Sequence, residues 1–148
     1  MASSLLQPET KREIEARIAR LSAAQAARWG RLSAPRMVVH LTDSMKMATG
    51  DLTVAPKRVP LRYPPLKQLV IYWLPFPKGV PTAPELLARA PTDWATELSE
   101  LLASIDRFAG RDPAASWPDH PAFGRMSGRQ WGVLAYRHID HHLRQFGG

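Results

Sequence analysis

The chain predicts an all-α fold, a four-helix bundle, and three observations carry that expectation. Four segments place apolar residues at helical spacing. No stretch alternates apolar and polar residues for long enough to build a sheet. Between Gly50 and Pro91 lies a proline-rich crossover, long enough to free the helices it joins from being antiparallel neighbours. With 148 residues, 45% of them hydrophobic, residues 1–148 are expected to form a single domain with its own core.

Thr10-Lys11-Arg12-Glu13 reads as a capping box, so the first helix is expected to begin at Thr10. Ile14, Ile18 and Leu21 then recur at i, i+4 and i+7 and give it one core face. Ser22 to Gln25 repeats the box and predicts a short extra turn ending near Gly30. The second helix follows Trp29-Gly30-Arg31-Leu32-Ser33, with Ser33 as N-cap and Pro35 in the first turn. Met37, Leu41, Ser44 and Ala48 form its inner stripe, and His40 lies about 60° from Met37, still on the buried side.

Within the crossover, prolines from Pro56 to Pro91 forbid a long helix. Leu66 to Leu74 can form a short one and Glu85 to Ala90 another turn, and Leu69, Ile71, Tyr72, Trp73 and Phe76 should tie the segment down. The third helix runs from Thr92 to about Ala109 on a stripe of Trp94, Leu98, Leu101, Leu102, Ile105 and Phe108, and Gly110 ends it. Asp112 to His120 is a loop. Phe123-Gly124-Arg125-Met126-Ser127 repeats the lead-in to the second helix, and a Ser127/Gln130 capping box opens the last helix, Ser127 to Phe146.

On that last helix, with Trp131 as the zero of a wheel at about 100° per residue, His138 and His142 fall within roughly 20° either side. Two imidazoles four residues apart on one face can hold one metal ion, and His40 supplies a third from the second helix. His141 lies about 80° off the line, at the edge of the face, and His120 falls in the loop. Burying several imidazoles without a common partner would cost about 1 to 3 kcal/mol for each unsatisfied group, which favours a shared ion. Asp43, Asp140, Arg137 and Gln145 are candidates for orienting the ligands or meeting a substrate, and surface ion pairs are the alternative for each.

Composition narrows the chemistry further. There is no cysteine, so any ligand field is nitrogen and oxygen and the chain has no thiol nucleophile of its own. The longest apolar run, Leu69 to Leu74, is far too short to span a bilayer, and Met1 to Glu15 has no apolar leader, so a cytoplasmic location is expected. The net charge of +7 would suit a nucleic-acid binder, but the arginines are spread over polar helix faces with no dense basic run. That pattern favours a solvated basic surface.

A histidine in the middle of the second helix, then His138-x-x-His141-His142 followed by Gln145, resembles the DinB and YfiT-like superfamily. The Trp29-to-Ser33 lead-in, the stretch from Phe76 to Pro84, and His120-Pro121-Ala122-Phe123-Gly124 through His142-Leu143-Arg144-Gln145-Phe146 are similar to its uncharacterised DinB-like branch. The resemblance covers nearly the whole chain, and its C-terminal segment is the specific part. It implies a divalent metal, zinc or nickel, on His40, His138 and His142, and a low-molecular-weight thiol as co-substrate in some members.

Three function classes follow. The first is a metal-dependent transferase or hydrolase acting on a small molecule, the second a non-catalytic metal-binding or stress-related helical bundle, the third a nucleic-acid binder using the basic surface. Exposed aromatics in the crossover would also allow a homodimer.

Overall fold

The computed structural model describes residues 2–76 and 83–148. Pro77 and Pro81, with most of the stretch from Phe76 to Pro84, lie outside the described residues. Those described are all-helical: α1 (Pro8–Ala19), α2 (Ala34–Thr49), α3 (Leu66–Gln68), α4 (Trp94–Ala109) and α5 (Gly128–Gln145). Among them no strand occurs, only an isolated bridge between His120 and Gly124.

Helix α1 starts two residues before Thr10. Pro8 sits in the first turn, where its fixed φ suits a helix and its missing N–H costs nothing. Gln7 takes the N-cap position, and its Oε1 accepts from the Ser4 amide (3.1 Å) and the Thr10 hydroxyl (3.3 Å). Thr10 therefore donates within the first turn and caps nothing. Ile14 and Ile18 are fully buried, as their spacing required. Ser22 and Gln25 do bond reciprocally, Gln25 N to Ser22 O (3.1 Å) and Ser22 N to Gln25 Oε1 (3.3 Å), but they close one turn without a helix.

Helix α2 opens as its sequence indicated, with Ser33 Oγ accepting from Arg36 N (3.3 Å). Gly50, at φ 85°, closes it in the left-handed conformation. Its burial extends well beyond one stripe. Val38, Val39, Thr42, Asp43 and Met45 are buried along with Met37, Leu41 and Ala48, so α2 is enclosed on nearly every side and behaves as the central helix. Of the polar groups this encloses, Thr42 and Ser44 hydroxyls donate to the carbonyls of Val38 (3.0 Å) and His40 (2.8 Å).

Helix α4 begins at Trp94, two residues after the expected Thr92, with Asp93 as its N-cap accepting from Thr96 N (3.1 Å). Its buried line is Glu97, Leu101, Ser104, Ile105 and Phe108; Trp94, Leu98 and Leu102 lie at the edge, partly buried. The apolar stripe thus turns toward the Glu97 side. That carboxylate is enclosed because Arg89 Nη1 reaches both its oxygens (3.0 and 2.9 Å) and Thr92 donates from its amide (2.9 Å) and hydroxyl (3.2 Å). The Ser127/Gln130 capping box at the start of α5 is complete, at 3.1 and 3.0 Å.

Helix α2 packs on α4 and α5, and α1 packs on the same two, so each of these four long helices meets two others. Between α2 and α4 the chain forms a 3-10 turn at Pro60–Arg62, then α3 running directly into a π-helical turn at Leu69–Trp73, and a second 3-10 turn at Pro84–Leu86. The helical turn expected over Leu66 to Leu74 is therefore present. Ile71 buries its side chain fully and Tyr72 and Phe76 are partly buried, whereas Trp73 is 77% and Leu69 42% exposed, so only part of the expected anchor is used.

Candidate metal centre

Helix α2 delivers His40 and α5 delivers His138 and His142, four residues and about one turn apart, to one point between the two helices. The three ring centroids form a nearly equilateral triangle, with sides of 4.9, 4.9 and 4.8 Å. Interplanar angles of 87°, 78° and 74° turn the rings edge to face. One nitrogen from each ring lies within 4.8 Å of the others, and His40 Nε2 approaches His138 Nε2 to 3.0 Å.

That spacing suits a single ion. Ligand nitrogens at about 2.0 to 2.1 Å from a tetrahedral zinc stand roughly 3.3 Å from one another. Two facing Nε2 atoms cannot bond if both carry lone pairs, and the outer contacts of His40 fix where its lone pair lies. His40 Nδ1 faces the carbonyl of Leu86 at 3.3 Å, which can only accept, so Nδ1 carries the proton and Nε2 the lone pair. His142 Nδ1 likewise donates to Gln145 Oε1 (2.8 Å), and Gln145 Nε2 donates in turn to the carbonyl of Trp29 (2.8 Å). Gln145 is thus held with its oxygen toward the imidazole. Its approach to the Trp29 turn needs Gly30, whose φ is 77° and where a Cβ would stand 2.9 Å from Gln145 Nε2.

Electrostatics keep the cluster neutral. Burial pushes His142 down to about 4, helped by neighbouring His40. His138 lies well below the ordinary histidine value, first through desolvation and then through His40 and His142. Burial also lowers His40, against the opposing effects of the Leu86 carbonyl and Asp43. All three rings are therefore neutral near pH 7, and the described residues could hold a metal ion here.

The other candidates separate cleanly. Gln145 orients His142. Asp43 is turned to Arg89, at 3.6 Å, and Asp140 pairs with Arg17 (2.8 Å) and Arg144 (3.1 Å), so neither carboxylate joins the imidazole cluster. Arg137 is a packing device: its guanidinium donates to the carbonyls of Val70 (2.6 Å), Ile71 (2.7 Å) and Leu74, closing the π-helical turn, and lies over the Phe76 ring. His141 stays outside the triangle, its ring against Trp29 and Phe76 and 5.3 Å from that of His142. His120 organises a turn, its Nδ1 accepting from the amides of Ala122 (3.0 Å) and Phe123 (3.2 Å).

Sequence reasoning missed the Leu86 and Trp29 carbonyls. Backbone acceptors carry no residue signature, although the Trp-Gly turn before α2 was a visible lead for the second.

No curated protein and no solved structure matches the chain. A family model does, over residues 3–147, and this span contains all three histidines and the residues that orient them. The chain belongs to the family described as protein of unknown function (DUF1569).

Proposed function

We propose that this protein is a metal-dependent enzyme in which His40, His138 and His142 hold one divalent ion, zinc or nickel, and leave a position for a small substrate. The observation that carries the reading is the convergence of three neutral imidazoles from two helices on a space of single-ion size. Three nitrogen ligands are the set of a catalytic zinc with one open position, where structural sites use four. When bound, such an ion acts as a Lewis acid and lowers the pKa of a coordinated water or thiol. The chain's own residues do the rest. Leu86 and Gln145 fix the tautomers of His40 and His142, and the lack of any cysteine leaves the nucleophile to come from outside, as water or a low-molecular-weight thiol. The transferase or hydrolase activity, the single DinB/YfiT-like four-helix-bundle domain over 1–148 and the cytoplasmic setting are parts of the same proposal. The pairing of each long helix with two others supports the bundle reading. Exposed Trp73 and Tyr63 support a homodimer.

A second reading, a metal that only stabilises the fold, is favoured by the burial of His40 and His142 at 2% and 9% exposure. Elemental analysis of protein purified without a histidine tag is expected to give about one equivalent of metal, lost in His40→Ala. A cobalt-substituted sample then separates the readings. A visible spectrum that changes on adding 2-mercaptoethanol marks an open position, and an unresponsive spectrum leaves the stabilising role.

A further inference from the structure

Beside the histidine cluster, on the far side of His141, lies an open cleft of about 700 Å³ walled by Trp29, Phe76 and Tyr136. Among the described residues none of the three cluster histidines lines the cleft, but two of its lining residues lead to the cluster. His141 stands with its ring 5.3 Å from His142, and Trp29 holds Gln145, which holds His142. A molecule resting on Trp29 would therefore lie one hydrogen-bonded residue away from a proposed metal ligand.

Among the described side chains of the cleft the charges are unequal: three arginines, Arg17, Arg28 and Arg144, face two carboxylates, Glu13 and Asp140, and Arg17 Nη2 also donates to the Gly148 backbone oxygen at 3.4 Å. Arg17 takes both acids, at 3.4 and 2.8 Å, and Arg144 shares Asp140 at 3.1 Å. Both carboxylates are thereby matched. Arg28 is left over: among the described residues its guanidinium makes no ion pair and no hydrogen bond. Its backbone N–H donates to Gln145 O (2.7 Å), and its guanidinium lies along Gly147, where a Cβ would stand 3.3 Å from Nη2. Arg28 is a planar, solvent-exposed cation that lines one cleft with the Trp29 and Phe76 rings, a combination that can recognise an oxyanion on an apolar body.

We infer that this cleft binds a small anionic molecule, a carboxylate or phosphate head on Arg28 with its apolar body on Trp29 and Phe76, and that this is the substrate class of the metal site. The assignment as substrate rests on the metal-enzyme reading, whereas anion binding by the cleft does not require the metal.

The test is a titration of isotope-labelled full-length protein with benzoate, phenyl phosphate and neutral benzyl alcohol, following the Trp29 and His141 resonances. Either anion is expected to shift both saturably, with benzyl alcohol much weaker, and the tighter of the two identifies the head group. Arg28→Gln should weaken anion binding roughly tenfold or more, as expected for a lost charge-assisted bond, and Arg28→Lys should restore part of it. Zinc content should stay unchanged in both variants. The inference is overturned if neither anion moves these resonances, or if Arg28→Gln binds them as tightly as the parent. His40→Ala separates the two readings. Benzoate binding retained by that metal-depleted variant upholds the cleft on its own terms, and a parent protein that takes up no zinc yet loses benzoate on Arg28→Gln fails the metal reading alone.

Discussion

Gln145 Oε1 accepts from His142 Nδ1 at 2.8 Å while the same amide donates to the carbonyl of Trp29, so one side chain ties a candidate metal ligand to the turn that precedes α2. Partners of this kind set a ligand's tautomer and ring orientation, and their loss costs about 10- to 100-fold in metal affinity. Gln145→Ala is expected to weaken zinc binding by that factor with all three imidazoles still present. Competition with a chromophoric chelator measures it, and an unchanged dissociation constant would show that Gln145 does not orient the site. Gln145→Glu should weaken zinc less than Gln145→Ala, because a carboxylate still accepts from Nδ1.

Acid should loosen both the fold and the site. His142 and His120 titrate at about 4 in the folded chain, and His40 and His138 are lowered as well, all chiefly by burial. An unfolded histidine titrates near 6.5, so from about pH 6.5 down to about pH 4 the unfolded chain holds more protons and stability falls as pH falls. Thermal melts of metal-free protein should show the midpoint dropping through that window and level above it. Zinc should raise the midpoint near neutrality and much less at about pH 5, because protons compete for the same nitrogens. A midpoint flat across the window would contradict the burial of these rings.

Glu97 is a buried charge that depends on its partners. Burial alone would push its carboxyl up, yet donation from Thr92 and Arg89 outweighs this and holds it below the usual range. Arg89→Ala leaves the carboxylate enclosed with only Thr92 donating, at a cost of about 1.5 to 3 kcal/mol for a lost bond to a charged group. Chemical denaturation near pH 7 gives the value. Glu97→Gln with Arg89→Ala should recover part of the loss, since a neutral amide is cheaper to bury than an unpaired charge.

Gly128 opens the helix that carries two of the three histidines. A Cβ there would stand 2.8 Å from Pro113 Cα and 2.7 Å from Trp117 Nε1, and would press on the Pro113 carbonyl. Backbone cannot move aside as a flexible side chain can, so Gly128→Ala should cost about 1 to 3 kcal/mol, despite alanine's better helix propensity. A variant as stable as the parent would mean that the Asp112 to His120 loop packs less tightly on α5.

The sequence by itself determined the all-helical class, the Ser33 and Ser127 caps, and the inward placement of His40 and His142, because each depends on periodicity or on a partner three or four residues away. It also put His138 and His142 on one face and His141 off it. Only the tertiary structure decided which long-range groups complete the site. Leu86, 46 residues from His40, and Trp29, 116 from Gln145, act through backbone carbonyls that any residue could present. It likewise decided that Asp43 and Asp140 answer arginines rather than imidazoles, and that Arg137 closes a distant turn. An acid or an arginine has several partners within reach of its sequence, and the packing of whole helices selects among them. The start of α1 shows the same limit locally: Thr10 and Glu13 matched a capping box, but Pro8 and the turn from Ser4 to Gln7 had already begun the helix.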